Sequence, residues 1–342
     1  MFAVHQWKVF LLSLVMFSSI NFVSASDFQI ETYEIYNSAG LGEVRDLEFD
    51  NLGNLYVSHV GTSDVGYTNG SITKIDSSGP DVRWADNIGR SGHLVWAGGT
   101  EFGDYLYVSD PVVRKIKRVD RSGNATDLAY VSTQPLPFDI DRSGAYGGQM
   151  YTGTWGTDGL YRINANGLVN KFGSFPDNYS GLDSGGPISI QFAPRQNYSG
   201  KMYVGWEAWD SSVPSADFTG IYAIETNGDY SLFAEFTQVR DFAFDDSGLM
   251  FDNSLFAIGR NISIDEGMHL WRIDEQGNIE DFMRVGWGIT DHLTFGPDGA
   301  MYFSEYFGDT TEIFRISEIP EPSSLLLLGL GGMMIRKKNK KV

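Results

Sequence analysis

A chain of 342 residues with 44 acidic against 25 basic side chains and no cysteine excludes several classes at once. Its net charge of −19 has the wrong sign for phosphate, so no nucleic-acid partner is expected, and neither a disulfide framework nor a thiolate site is available. Stability must come from an ordinary apolar core, for which the length is ample.

In chain order, Lys8 closes a basic n-region, Val9 to Phe17 is apolar, and Val23-Ser24-Ala25 is a small-residue site. This is the pattern of a secretory signal peptide cleaved after Ala25. The apolar run is too short for a span of roughly 20 residues, which disfavours a retained anchor. Residues 1–25 therefore stand apart from the fold, and residues 27–318 form the domain. Between residues 27 and 320 the balance is 19 basic against 43 acidic side chains, a charge that keeps an exported protein soluble and attracts divalent cations.

The domain repeats. An apolar residue followed by an aromatic recurs at Leu55-Tyr56, Leu106-Tyr107, Met150-Tyr151, Met202-Tyr203, Leu255-Phe256 and Met301-Tyr302, with the aromatics 51, 44, 52, 53 and 46 residues apart. Each pair is followed by a short apolar or alternating run such as Ile116-Lys117-Arg118-Val119 or Leu270-Trp271-Arg272-Ile273, which is strand behaviour. Five of these runs enter a turn ending at Gly79, Gly123, Gly167, Gly228 or Gly277, where positive φ costs little. A further strand precedes each aromatic pair, so each unit has four antiparallel strands, a to d. Units of this length and make-up are propeller blades, and six of them predict an all-β, six-bladed β-propeller. The sixth c strand, Glu312 to Ser317, runs directly into the C-terminal tail. The alternating segment Phe28 to Tyr36 supplies its missing partner and closes the ring. A β-solenoid or a pair of sandwiches is the alternative, and circular closure argues against it.

After the domain, Ile319-Pro320-Glu321-Pro322-Ser323-Ser324 precedes an apolar stretch from Leu325 to Ile335 and the cluster Arg336, Lys337, Lys338, Lys340 and Lys341. An apolar segment followed by cations halts export with the basic end on the cytoplasmic side. The three signals in this order resemble the PEP-CTERM sorting domain over residues 319–342. The resemblance implies recognition of Pro320, Glu321 and Pro322 by an exosortase-type membrane transpeptidase, with transient membrane contact through the tail, and a final address in the cell envelope or outside the cell. The same kind of tail is also called an ice-binding protein C-terminal domain, but no flat Thr-repeat surface here supports ice binding. The repeat units are similar to those of NHL and SMP-30/gluconolactonase propellers, a likeness carried by Pro137-Phe138-Asp139-Ile140-Asp141, Gly296-Pro297-Asp298-Gly299 and Leu106-Tyr107-Val108-Ser109-Asp110.

In such a propeller the a strands line an axial channel. Aligning them places Asp46, His93, Pro137, Ser189, Asp241 and His292 at one level, with Asp291 one register earlier. Asp46, His93, Asp241 and His292 are the candidate metal ligands, suited to a divalent cation such as calcium; a histidine facing Asp and Arg would alternatively serve as a general base. The bland alternative is that Arg45 with Asp46, and Arg240 with Asp241, form channel salt bridges. The SMP-30-like likeness implies a glutamate ligand near Glu43 and an Asn-Gly-Leu segment, in whose place this chain has Arg240-Asp241-Phe242. A quinone-dependent sugar dehydrogenase, also six-bladed, would need an extended cofactor pocket.

The b-to-c loops mix acids with aromatics, and Trp155, Trp206, Glu207, Trp209 and Asp210 are the candidates for stacking on sugars. The leading expectation is a non-catalytic surface or matrix protein that binds exopolysaccharide or an envelope protein through this face. A metal-dependent hydrolase or sugar dehydrogenase is the alternative.

Overall fold

In the computed structural model, residues 28–37, 41–62, 68–76, 81–155, 159–174, 185–194, 197–208, 220–236, 238–260, 267–286, 289–308 and 310–319 are described. The signal segment and the tail beyond Ile319 lie outside them. Strand β1 (Phe28–Asn37) comes first. Blade one is β2 (Val44–Phe49), β3 (Leu55–His59), β4 (Ser71–Ile75) and β5 (Val82–Ala85); blade two is β6 (Leu94–Trp96), β7 (Leu106–Asp110), β8 (Lys115–Val119) and β9 (Ala125–Tyr130). Blade three is β10 (Gln134–Ile140), β11 (Met150–Trp155), β12 (Gly159–Ile163) and β13 (Val169–Ser174); blade four is β14 (Gly185–Phe192), β15 (Met202–Ala208), β16 (Gly220–Ile224) and β17 (Tyr230–Glu235). Blade five is β18 (Gln238–Phe244), β19 (Leu255–Arg260), β20 (Met268–Ile273) and β21 (Ile279–Gly286); blade six has β22 (Ile289–Phe295), β23 (Met301–Tyr306) and β24 (Thr310–Glu318).

Each blade is a four-stranded antiparallel sheet, and the sixth has the order β1-β24-β23-β22. The N-terminal strand therefore closes the ring, with Phe28 opposite Glu318 and Asn37 opposite Thr310. Closure covers the β24 edge, which an open array would leave available for association. The anchor is Phe28, buried and stacked on Phe251 at 4.8 Å with Phe282 edge-on at 5.2 Å.

Six apolar clusters hold the ring, one between each pair of neighbouring blades. The repeated aromatics sit in them: Tyr56, Tyr107, Tyr151, Tyr203, Phe256 and Tyr302 are all buried. Polar staples add direction. Tyr146 of blade three donates to the Ile224 carbonyl of blade four at 2.5 Å and accepts the Met202 N–H, and Tyr198 of blade four treats Ile273 and Leu255 of blade five the same way. The turn glycines have a second reason beyond positive φ. A Cβ at Gly123, Gly167 or Gly277 would run into the carbonyl oxygen of Trp84, Leu128 or Phe233 in the outer strand of the preceding blade.

The topology creates two faces. The a-to-b and c-to-d turns lie on one, here the turn face, and the b-to-c and d-to-a connections lie on the other, the loop face. Among the described residues, no helix is long and apolar enough to cross a membrane.

Candidate functional site

The inner strands carry the site. In four blades the pairing of the inner strand slips by a residue just before the ring position, between Val44 and Asp46, Pro187 and Ser189, Val239 and Asp241, and Thr290 and His292. Such bulges re-aim side chains. Here they coincide with the register at which Asp46, Ser189, Asp241 and His292 stand, all less than a tenth exposed.

Two carboxylates at this level tie blades together. Asp46 accepts the N–H of Leu47 at 2.8 Å and of Leu94 in the next blade at 2.6 Å. Asp241 does the same with Phe242 at 2.8 Å and Leu293 at 2.9 Å. These bonds leave further lone pairs on each carboxylate. Ligand atoms of Asp46, Asp241 and His292 all lie within 4.8 Å of one another. His93 stands beside the group, with Nδ1 3.4 Å from Asp46 Oδ2 and its ring 5.8 Å from that of His292.

His292 is the unusual member. It is 6% exposed, and neither ring nitrogen has a hydrogen-bond partner, although buried imidazoles normally find one. Burial first, then the neighbouring His93, Arg45 and Arg240, push its pKa down to about 3 against the pull of Asp46. The ring is thus held neutral, with one N–H and one unprotonated nitrogen available as a ligand. Burial, followed by the charge of Asp46, pushes the Asp241 carboxyl up to about 7, with Ser189 opposing. Burial acts upward on Asp46 too, but His93, His292 and the Leu94 N–H together hold it below the usual carboxylate range. Burial acts against protonation of His93; its bond to Asp46 and the charge of Asp241 outweigh that and raise its pKa. Two carboxylates around an uncommitted imidazole fit a divalent cation.

The cavity enclosed by Asp46, Glu48, His93, Ser189, Gln191, Asp241 and Thr294 measures about 30 Å³. That is room for a water molecule or an ion. A second depression of about 330 Å³ lies on the turn face between blades four and five, beside Tyr198, Asp252, Ser254 and Glu275.

Several sequence expectations change. Arg45 pairs with Glu43 at 2.8 Å rather than with Asp46, while its charge still acts on His93 and His292 in the ring. Trp206, expected on the ligand face, is 3% exposed and packs between blades three and four with Leu160, Ile190 and Val204. His59, His269 and Glu305, which border b-to-c connections, are likewise buried strand residues. The side chains of Trp155, Glu207 and Asp291, residues Trp209 and Asp210, and the sorting tripeptide Pro320, Glu321 and Pro322 lie outside the described part.

Sequence alignment at one level missed the level below. Glu48 accepts the Trp96 N–H at 2.8 Å, and Asp139 accepts those of Ile140 and Phe192 at 2.7 and 2.9 Å. Arg142 reaches Asp139 at 3.2 Å and the Trp96 carbonyl at 2.5 Å. Burial pushes the Glu48 carboxyl up to about 8, with Arg142 and the Trp96 N–H opposing. The signal was present: Glu48 and Asp139 stand two residues beyond Asp46 and Pro137, on the same strand face.

Residues 318–338 match the PEP-CTERM protein-sorting motif family. No curated protein sequence matches the chain. Solved structures share the fold at low identity. A catalytically inactive virginiamycin B lyase from Staphylococcus aureus with quinupristin has 12% identity and a TM-score of 0.55, covering 85% of this chain and 100% of that one. The gluconolactonase XC5397 from Xanthomonas campestris has 13% identity and a TM-score of 0.57, covering 85% and 96%. A glucose dehydrogenase has 12% identity and a TM-score of 0.55, covering 85% and 100%. At this identity the likeness carries the fold alone. The chain is an exported β-propeller with a C-terminal sorting motif of the PEP-CTERM type.

Proposed function

We propose that this exosortase-sorted propeller is a non-catalytic binding module of the cell envelope or extracellular matrix. It engages polysaccharide or a protein partner through its loop face and holds one divalent cation among Asp46, Asp241 and His292. The observation that carries this reading is the meeting of ligand atoms of Asp46, Asp241 and His292 within 4.8 Å of one another; the adjoining cavity, lined by Asp46 and Asp241 and about 30 Å³ in volume, has room for an ion. Two carboxylates and an imidazole favour a cation that accepts nitrogen, such as zinc or manganese, over calcium with its six to eight oxygens.

Two measurements test the two halves. Thermal unfolding with added zinc, manganese or calcium is expected to show stabilisation, lost in Asp241→Asn and His292→Ala; no stabilisation by any of the three removes the cation. Affinity electrophoresis in exopolysaccharide is expected to retard the domain and to release the Trp209→Ala/Asp210→Ala variant. Unchanged retardation in that variant rejects the loop-face site. Trp206→Ala is a core truncation, expected to cost about 3–5 kcal/mol, and cannot serve as a binding probe.

A metal-dependent hydrolase is the second reading, favoured by the meeting of Asp46, Asp241 and His292 within 4.8 Å and by the gluconolactonase among the fold neighbours. Turnover of sugar lactones that vanishes in Asp241→Asn would establish it over the first.

A further inference from the structure

Both ends of the described domain leave the fold at one place. β22 runs from the loop face to the turn at residues 296–300, β23 returns, and β24 runs to the turn face again. Glu318 and its partner Phe28 are therefore level with that turn, and Arg315 on β24 bonds Asp298 within it at 2.9 Å. Asn37 and Thr310, the other end of the pair, lie at the loop face. One exposed residue, Ile319, separates the last paired residue from Pro320. Six residue steps lead from Ile319 to Leu325, the first residue of the apolar stretch, a reach of at most about 20 Å when fully extended.

We propose that, until the sorting enzyme cuts the tail, the propeller stands on the membrane with the turn face of blade six inward. The loop face, with the Asp46, Asp241 and His292 ring, then points away from the bilayer. A tether this short restrains rotation, because turning the domain over would require the tail to run back along the nine residues of β24, about 30 Å at the rise of a strand and beyond its reach. It also obliges the enzyme to work against the turn face.

Charge limits the contact to the tail exit. Turn-face Asp50, Asp120, Asp245 and Asp274 are spent on backbone N–H groups of their own turns, and anionic lipid headgroups repel such a surface. Around the exit the character changes. Leu52 and Leu249, 68% and 65% exposed, flank the blade-six turn, where Gly53 abuts Pro297 and Gly299 abuts Leu249.

The chain has no cysteine, so single-cysteine variants of the full chain report without background. Fluorophores at Leu52→Cys or Leu249→Cys mark the turn face, and at Val112→Cys or Phe307→Cys, 49% and 50% exposed, the loop face. In phosphatidylcholine/phosphatidylglycerol vesicles with acceptor-labelled headgroups, energy transfer from the turn-face sites is expected to be at least twofold more efficient. A flexible Gly/Ser insertion of about 20 residues between Ile319 and Pro320 is expected to bring the ratio close to one. Equal transfer from both faces of the uninserted chain, or stronger transfer from the loop face, overturns the orientation.

Discussion

Truncating Phe28 to alanine tests whether the ring is closed by side-chain packing as well as by strand pairing. Phe28 is 7% exposed, lies 4.8 Å from Phe251 in a stacked pair, and meets Phe282 edge-on at 5.2 Å. Phe→Ala in a core costs about 3–5 kcal/mol, of which each aromatic pair accounts for roughly 0.5–1.5. A strand near the chain terminus relaxes more readily than a central one, so the lower end, about 3 kcal/mol, is expected. For a domain somewhat larger than 250 residues that corresponds to a fall of roughly 6 °C in Tm. Ile35→Ala on the same strand is the control: its side chain is 54% exposed, and an outward strand position is worth at most about 1 kcal/mol. Calorimetry of the two variants beside the parent gives the answer. If Phe28→Ala shifts Tm no more than Ile35→Ala does, the clasp rests on main-chain pairing alone and the packing argument fails.

Gly123→Ala is expected to cost about 2 kcal/mol or more, combining positive φ with a collision against the Trp84 carbonyl; urea unfolding that moves by less than half of this means the blades are not in close register. His59 is fully buried against Thr73, and burial, with Arg83 adding, lowers its pKa to about 4. Its unfolded form therefore takes up a proton below about pH 6.5 while the native form does not, and stability falls as the pH drops through the window from about 6.5 to 4. A His59→Gln variant is expected to lose about 3 kcal/mol of that dependence, read as a flatter slope of unfolding free energy against pH; parallel slopes would show that another group carries the effect.

The blades were legible because independent regularities coincide: the apolar-aromatic pair and the run after it in all six units, and the turn glycine in five of them. Closure by residues 28–37 was legible because β24 had no following strand to pair with. The ring level was legible from register, but its partners were not. Nothing in the sequence distinguishes Arg45 bound to Glu43, as the fold has it, from Arg45 bound to Asp46. Trp206 read as a ligand residue because aromatic and acidic neighbours follow it. The pairing of Pro187 with Trp206 turns the ring into the gap between blades, a consequence of tertiary packing that local pattern does not contain.

The ring's chemistry follows from a counting rule around the circle. Aspartates of blades one, three and five each accept an N–H from the next blade, Asp46 from Leu94, Asp139 from Phe192 and Asp241 from Leu293. Pro137 holds the ring register of blade three, so that blade's aspartate stands one pleat deeper. The remaining two, Asp46 and Asp241, flank blade six, and His292 stands between them. The candidate cation site therefore belongs to the blade that the N-terminal strand completes. A consequence separates this from general stability. Phe28→Ala loosens blade six and is expected to raise the cation concentration needed for half-maximal stabilisation several-fold. Gly167→Ala, which collides with the Leu128 carbonyl at the interface of blades two and three, is expected to destabilise comparably and leave that concentration unchanged. Equal shifts in both variants, measured by titrating zinc or manganese against Tm, would detach the site from the clasp.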